Sequence, residues 1–281
     1  MSTTVLISAD MEGATGVATP DDVTPGSPYF ARARECWVAD LNAVVASLLA
    51  HGADEVVVTD AHGNASNLEQ SLIDPRAGLI RGRPRRFGML EGIDSGVDGV
   101  VFLGYHGAPG SGGVLSHAFM AAGIHAIHVN GEAAGEGTIN AHLAAAFGVP
   151  VVLVTGDDAA CAEASRYAPD AERVQTKEAV GRFTARLRPV EPVRRDMAAA
   201  AEQAMKRLSA GPPGTPDAGR ELSAEIEFSS ENCALVATAI PGVRSVGTRT
   251  VSFAAADVPA WYRCLGAIWT LARSAREARY G

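Results

Sequence analysis

Short runs of β-branched and other apolar residues alternate with longer segments of helical periodicity in the first part of the chain. Four of these runs predict buried strands, at residues 5–9, 55–59, 100–104 and 150–155. Residues 29–51 have apolar positions at helical spacing and end before Gly52, a residue type that often follows a helix. The alternation predicts an α/β fold of three layers, in which a largely parallel sheet is flanked by helices.

The pattern changes near residue 190. An alanine-rich helix is predicted at residues 192–208 and a loop rich in proline and glycine at 211–219. Strands and helices are then predicted in alternation, at residues 223–228, 231–239, 249–253 and 258–276. We therefore expect an α/β domain over residues 1–190. Residues 191–281 are expected to form a smaller α+β domain, which is a candidate for contacts within an oligomer.

Composition and charge exclude several classes of protein. The chain has 281 residues, of which 47% are hydrophobic, and no stretch approaches the roughly 20 uninterrupted apolar residues of a membrane span. A formal net charge of −8 without a concentrated basic face argues against nucleic-acid binding. The first residues lack the pattern of a secretory signal, and the four cysteines are widely scattered. We expect a cytoplasmic protein with reduced thiols.

Carboxylate and imidazole side chains follow directly after three of the predicted strands. Asp10 and Glu12 follow the first strand, His62 the second and His106 the third. Because parallel strands end at one edge of a sheet, these side chains are expected to converge there. Carboxylate oxygen and neutral imidazole nitrogen are ligands that zinc prefers, and one carboxylate can bridge two ions. The first domain is therefore expected to be a catalytic domain that binds two metal ions.

Each of these residues alone has a structural alternative, since a histidine after a strand is often simply hydrogen-bonded. Asp60 could orient His62 or only accept backbone hydrogen bonds. Asp157 and Asp158 could bind the amine of a substrate or stabilise a turn. The shared placement of the four candidate ligands favours the metal site, and the chain has no Walker loop, nucleophile elbow or His-Glu-x-x-His helix.

Six ordered motifs resemble those of the DppA-like D-aminopeptidases, peptidase family M55. They lie at residues 8–13, 59–62, 89–92, 102–106, 115–117 and 135–140. The resemblance extends over nearly the whole chain. It implies a hydrolase that uses two zinc ions per subunit and a metal-activated water to remove N-terminal, D-configured residues from short peptides or amides. It also implies a ring-shaped homo-oligomer, such as a decamer.

The resemblance also assigns the metal ligands by position. Asp10 would bridge both zinc ions, Glu12 and His62 would complete one site, and His106 and Glu136 would complete the other. Glu136 enters through the resemblance alone. It stands at a predicted helix start, where its alternative role is to stabilise the helix dipole.

His117 is the residue that the resemblance marks as catalytic. It follows a glycine-rich segment, residues 107–113, which is expected to be mobile. Its imidazole could act as a general base, as a proton donor to the leaving amine or as a nucleophile. Two other functions stay open at this point. One is a dinuclear metal amidohydrolase that acts on a non-peptide amide, and the other is a non-catalytic peptide-binding protein.

Overall fold

The computed structural model describes residues 2–211 and 221–275. Its strands are β1 (Thr4–Ala9), β2 (Glu55–Asp60), β3 (Gly78–Ile80), β4 (Gly99–Tyr105), β5 (Ile124–Val129), β6 (Glu132–Ala133), β7 (Val151–Asp157), β8 (Glu172–Gly181), β9 (Thr184–Leu187), β10 (Leu222–Phe228), β11 (Arg244–Ser245) and β12 (Thr250–Ala255). Its α-helices are α1 (Pro20–Val23), α2 (Phe30–Ala50), α3 (Glu136–Ala146), α4 (Asp158–Tyr167), α5 (Val190–Ala210), α6 (Glu231–Ala237) and α7 (Val258–Ser274), and a 3₁₀ helix spans Gly88–Leu90. Across the two described ranges, no helix has both the length and the apolar character needed to cross a bilayer.

A seven-stranded sheet forms the centre of the molecule, with strand order β3-β2-β1-β4-β7-β8-β9. Neighbouring strands from β3 to β8 are parallel, and only the edge strand β9 pairs in the antiparallel sense. The four predicted strands correspond to β1, β2, β4 and β7, and the predicted helix at residues 29–51 corresponds to α2. The prediction of a largely parallel α/β sheet is therefore confirmed.

Both faces of this sheet are covered by other elements. Successive side chains of a strand point to opposite faces, so they pack into two different cores. Val5 and Ile7 of β1 belong to a core that includes Trp37 of α2 and Met197 of α5. Leu6 of β1 belongs to a second core, formed with α3, α4, α7 and the smaller sheet. The central strands β1, β4 and β7 are buried on both faces, as is typical of parallel sheets between layers of helices.

The smaller sheet is antiparallel, with strand order β11-β12-β10-β5-β6. Its central strand β10 pairs with β12 on one side and β5 on the other, and Ile226 lies opposite both Val251 and Ile127. The sheet thus takes strands from both sides of residue 190, and the domain boundary near that residue stays a prediction. The predicted loop at 211–219 lies, beyond Gly211, outside the described residues, as does residue 276 at the predicted end of the last helix.

Candidate metal centre

Three adjacent strands carry the candidate ligands to one edge of the central sheet. The last residue of β1, Ala9, lies beside Asp60 of β2 and Leu103 of β4, so these strands end almost level. The loops that follow them hold Asp10, Glu12, His62 and His106. Glu136, the first residue of α3, completes the group, and all five residues are buried. The structure therefore brings together every residue that the sequence and the resemblance suggested as a ligand.

His62 faces two carboxylates on one side of this cluster. Its Nδ1 lies 3.0 Å from Oε2 of Glu12 and 3.4 Å from Oδ1 of Asp10. Its Nε2 donates a hydrogen bond of 2.8 Å to the carbonyl oxygen of Val23. Since a carbonyl oxygen can only accept, Nε2 carries the hydrogen and the neutral ring has its lone pair on Nδ1, as a metal ligand requires.

His106 faces two carboxylates on the other side. Its Nε2 lies 3.5 Å from Oδ2 of Asp10 and 3.5 Å from Oε2 of Glu136, while its Nδ1 donates to the carbonyl oxygen of Gly107 at 3.1 Å. Oδ2 of Asp10 and Nε2 of His106 are buried, and neither has a hydrogen-bond partner in the described part of the chain. Buried polar atoms normally have such partners. Asp10 therefore directs one carboxylate oxygen to each histidine, which is the arrangement of a bridging ligand.

His117 lies above the cluster and stacks on His106, with ring centroids 4.2 Å apart. Its Nδ1 donates to the carbonyl oxygen of Leu115 at 2.8 Å, which leaves Nε2 directed inwards. This Nε2 is 4.0 Å from Oε1 of Glu12 and 3.9 Å from Oε1 of Glu136. Its side chain is 14% exposed, more than any of the five candidate ligands. Its position is suited to proton transfer at the rim of the cluster.

The electrostatics of the cluster favour a bound cation. Burial and the charge of Glu12 raise the pKa of Asp10 to about 7. Burial opposes charge on His62 as well, yet Glu12 raises the pKa of that imidazole well above its usual value. The charged form of each group is therefore stable in this buried cluster only when an opposite charge lies close by. The donor set of carboxylates and imidazoles fits zinc, and two overlapping triads, His106-His117-Glu136 and Asp10-Glu12-His106, each place their ligand atoms within 4.8 Å of one another.

The loop that carries Asp10 and Glu12 is attached to the end of β4. The amide of Asp10 donates to the carbonyl of Leu103 at 2.8 Å, and the amide of Gly13 donates to the carbonyl of Gly104 at 2.7 Å. Gly104 has a φ of +71°, and a Cβ at this position would overlap the carbonyl oxygen of Asp10. Only glycine combines this conformation with so close an approach of two backbones.

We expect the variant Gly104→Ala to be destabilised by at least about 3 kcal/mol, because strain at positive φ adds to a backbone overlap beside a ligand. Thermal unfolding and zinc content should both decrease. Gly110→Ala is the matched control, since Gly110 also has positive φ, at +78°, but nothing lies within 4 Å of its added Cβ. Equal unfolding temperatures for the two variants would contradict a role for the backbone contact.

Lys177 of β8 is hydrogen-bonded to the loop that carries Asp10 and Glu12. Its ammonium is fully buried and donates to the carbonyl oxygens of Glu12 at 2.7 Å and Val17 at 2.6 Å. Burial lowers its pKa to about 8, an effect that Asp157 partly offsets. Lys177 is not among the site residues predicted from the sequence. A signal was available, because only two lysines, Lys177 and Lys206, occur among the 24 basic residues.

Substitution of Lys177 by methionine keeps the length of the side chain and removes both hydrogen bonds. We expect a loss of about 3 kcal/mol in the free energy of unfolding, since two buried carbonyls lose a charged donor. Weaker retention of zinc during dialysis should accompany it. Lys206→Met, which removes an exposed lysine paired with Glu202 on α5, should leave the unfolding temperature and the zinc content nearly unchanged. Unchanged zinc retention in Lys177→Met would show that Lys177 does not position Glu12.

The segment before His117 is held at two points. The amide of Val114 donates to Oδ2 of Asp157 at 2.6 Å, and the amide of Leu115 donates to the carbonyl of Arg182 at 2.7 Å. Asp157 also caps α4 through the amide of Ala160, at 2.8 Å. This geometry favours the turn-stabilising alternative for Asp157. The carbonyl of Arg182 lies between β8 and β9, so this hairpin helps to orient the catalytic candidate.

Asp60 accepts hydrogen bonds from the backbone amides of Asn67 at 2.5 Å and Leu68 at 2.8 Å, and more weakly from that of His62 at 3.3 Å. It therefore organises the loop after β2, on which His62 lies. His125 and His128 lie in β5 of the smaller sheet and not at the strand ends that carry the candidate ligands.

The chain is similar to known D-aminopeptidases over nearly its whole length. The model of the Peptidase M55 family, described as D-aminopeptidase, matches residues 3–267. A D-aminopeptidase of Bacillus subtilis (strain 168) is 33% identical over 262 residues, which cover 92% of this chain and 94% of that protein. The solved structure of the Zn-dependent D-aminopeptidase DppA from Bacillus subtilis, a self-compartmentalizing protease, superposes with a TM-score of 0.92 at 28% identity. The match covers 98% of this chain and all of that one.

Proposed function

The chain belongs to the Peptidase M55 family of D-aminopeptidases and is a metallo-aminopeptidase, and we propose that its clustered carboxylates and imidazoles hold two zinc ions for this reaction. Asp10, Glu12 and His62 would hold one ion. Asp10, His106 and Glu136 would hold the other. The observation that carries this assignment is the position of Asp10, which presents one oxygen to His62 and the other, without a hydrogen-bond partner in the described residues, to His106.

Bound zinc acts as a Lewis acid that polarises a carbonyl group and lowers the pKa of a water molecule. His117 is proposed as the residue that takes or gives a proton beside the scissile bond. Its Nδ1–H is engaged by Leu115, so Nε2 is the nitrogen available for transfer. That nitrogen is 4.0 Å from Oε1 of Glu12 and 3.9 Å from Oε1 of Glu136, so it lies near one proposed ligand of each zinc ion.

The site opens into a cavity of about 1260 Å³, whose wall includes Asp10, Glu12, His62, His117 and Glu136. This space suits a short peptide, and we propose peptides or amides with a D-configured N-terminal residue as substrates. We further propose a cytoplasmic, ring-shaped homo-oligomer, such as a decamer, in which residues 191–281 contribute contacts. The relative DppA is described as self-compartmentalizing, which supports an assembly of this kind.

The test combines metal analysis with a panel of matched D- and L-aminoacyl substrates. We expect about two zinc ions per chain and hydrolysis of D-alanyl peptides and amides, with L-alanyl counterparts cleaved far more slowly. Removal of the metal by a chelator should abolish turnover, and added zinc should restore it. A purified protein that retains no zinc, or that cleaves only non-peptide amides, would contradict the proposal.

A further inference from the structure

Two of the arginines that line the active-site cavity, Arg83 and Arg273, are hydrogen-bonded to segments next to candidate metal ligands. Nη2 of Arg83 donates to the carbonyl oxygen of Gly63 at 2.6 Å, next to the ligand His62 in the chain. Nη2 of Arg273, on α7, donates to the carbonyl oxygen of Phe119 at 3.2 Å. The amide of Phe119 in turn donates to Oε1 of Glu136 at 2.6 Å. Both guanidinium groups are therefore attached, through a single backbone carbonyl, to segments that hold the metal centre.

These two guanidinium groups have no carboxylate partner within residues 2–211 and 221–275. Arg182 and Arg263 of the same wall also have no carboxylate partner in the described residues, and Arg182 donates to the carbonyl oxygen of Ala121 at 3.2 Å. Arg85 and Arg86 differ. Arg86 pairs with Asp94 at 2.6 Å, and Arg85 donates to several backbone carbonyls and to Oγ1 of Thr59. Arg83 and Arg273 each use one hydrogen-bond donor on a carbonyl oxygen, and the remaining donors of each planar fork stay available for a ligand.

The carboxylates of the cavity wall are engaged with other groups and form no ion pair with these two arginines in the described residues. These carboxylates are those of the metal centre and Asp60, which accepts backbone hydrogen bonds. Partial burial lowers the pKa of Arg83, and the nearby charge of Arg273 lowers it further. Two cations that repel each other beside a concave site attract an anion, and a carboxylate fits the fork of a guanidinium with two hydrogen bonds.

We propose that Arg83 and Arg273 bind the free C-terminal carboxylate of a short peptide, so that the cavity selects di- and tripeptide acids. The inference rests on the proposed aminopeptidase function and deepens it. A peptide residue spans roughly 3.5 Å, so the terminal carboxylate of such a substrate lies only about one or two residues beyond the scissile bond. Arg83 and Arg273 are hydrogen-bonded to segments beside the metal ligands, so they can reach a carboxylate one or two residues beyond the scissile bond.

The experiment compares a D-alanyl dipeptide acid with its C-terminal amide on wild type, Arg83→Gln and Arg273→Gln. For the acid, each variant should raise KM about tenfold with kcat within about twofold, because a charged hydrogen bond is lost from binding. For the amide, which lacks the carboxylate, KM should change little. Arg86→Gln is the matched control, since Arg86 lines the same cavity but is paired with Asp94. Zinc content and unfolding temperature verify that each variant is folded.

The wild-type protein gives a second measurement that needs no substitution. Its KM should be about tenfold lower for the acid than for the amide. Equal KM values for the two substrates, or an equal rise for both in the arginine variants, would overturn carboxylate recognition while leaving the aminopeptidase function intact. Failure of the wild type to cleave either substrate would overturn the proposed function itself, and the two failures are thus distinguishable.

Discussion

Replacement of Asp10 by alanine is expected to remove bound zinc and aminopeptidase activity together. Asp10 is the carboxylate that faces both His62, at 3.4 Å, and His106, at 3.5 Å. Its loss therefore weakens both metal sites at once, whereas the loss of any other ligand affects one. We expect zinc affinity to decrease at least about 100-fold and kcat to decrease more than about 1000-fold.

Elemental analysis after dialysis and the rate of D-alanyl peptide hydrolysis measure these two effects on the same sample. Asp196→Ala, which removes an exposed aspartate paired with Arg188, provides the control for a general effect of lost charge. Thermal unfolding shows whether the variant remains folded. If Asp10→Ala retained two zinc ions per chain, Asp10 would not be the bridging ligand.

The variant His117→Ala is expected to keep its zinc and to lose turnover. The imidazole lies at the rim of the cluster, and its Nε2 is 3.9 to 4.0 Å from the nearest carboxylate oxygens, farther than the contacts of His62 and His106. Loss of a residue that transfers a proton typically lowers kcat by about 100- to 10,000-fold. KM should change much less than kcat, because the loss of a proton-transfer group affects the chemical step and not substrate binding.

His125→Ala is the matched control, since His125 is an exposed histidine on β5. It should retain both zinc and normal kcat. Near-normal turnover in His117→Ala would remove His117 from the mechanism. A simultaneous loss of one zinc ion would instead assign it as a ligand, an alternative that its place in the triad with His106 and Glu136 makes worth measuring.

Much of the metal site could be predicted from the sequence because its ligands follow local signals. Asp10, His62 and His106 come directly after apolar runs, and the ends of parallel strands share one edge of a sheet. Glu136 has a weaker signal. It is the first residue of α3, a position where an acidic residue is common because it stabilises the helix dipole. Only the family resemblance assigns it as a ligand.

Other features depend on contacts between distant parts of the chain. Lys177 reaches Glu12 across 165 positions, and no local pattern indicates that its ammonium is buried. Likewise β10 and β12 match predicted strands, but β10 pairs with β5 across the whole of α3, β7 and α5, and the order of predicted elements does not indicate this pairing. The glycine-rich segment was expected to be mobile from its composition, whereas its end is held by Asp157 and the carbonyl of Arg182.

The two histidines on either side of Asp10 present different ring nitrogens to it. His62 donates from Nε2 to Val23, whereas His106 donates from Nδ1 to Gly107. Neutral rings in these positions are opposite tautomers, and the chemical shifts of their nitrogens in ¹⁵N NMR spectra differ accordingly. Metal titration of a histidine-labelled sample would therefore give a separate resonance pattern for each half of the centre, so that the order in which the two halves fill can be observed directly.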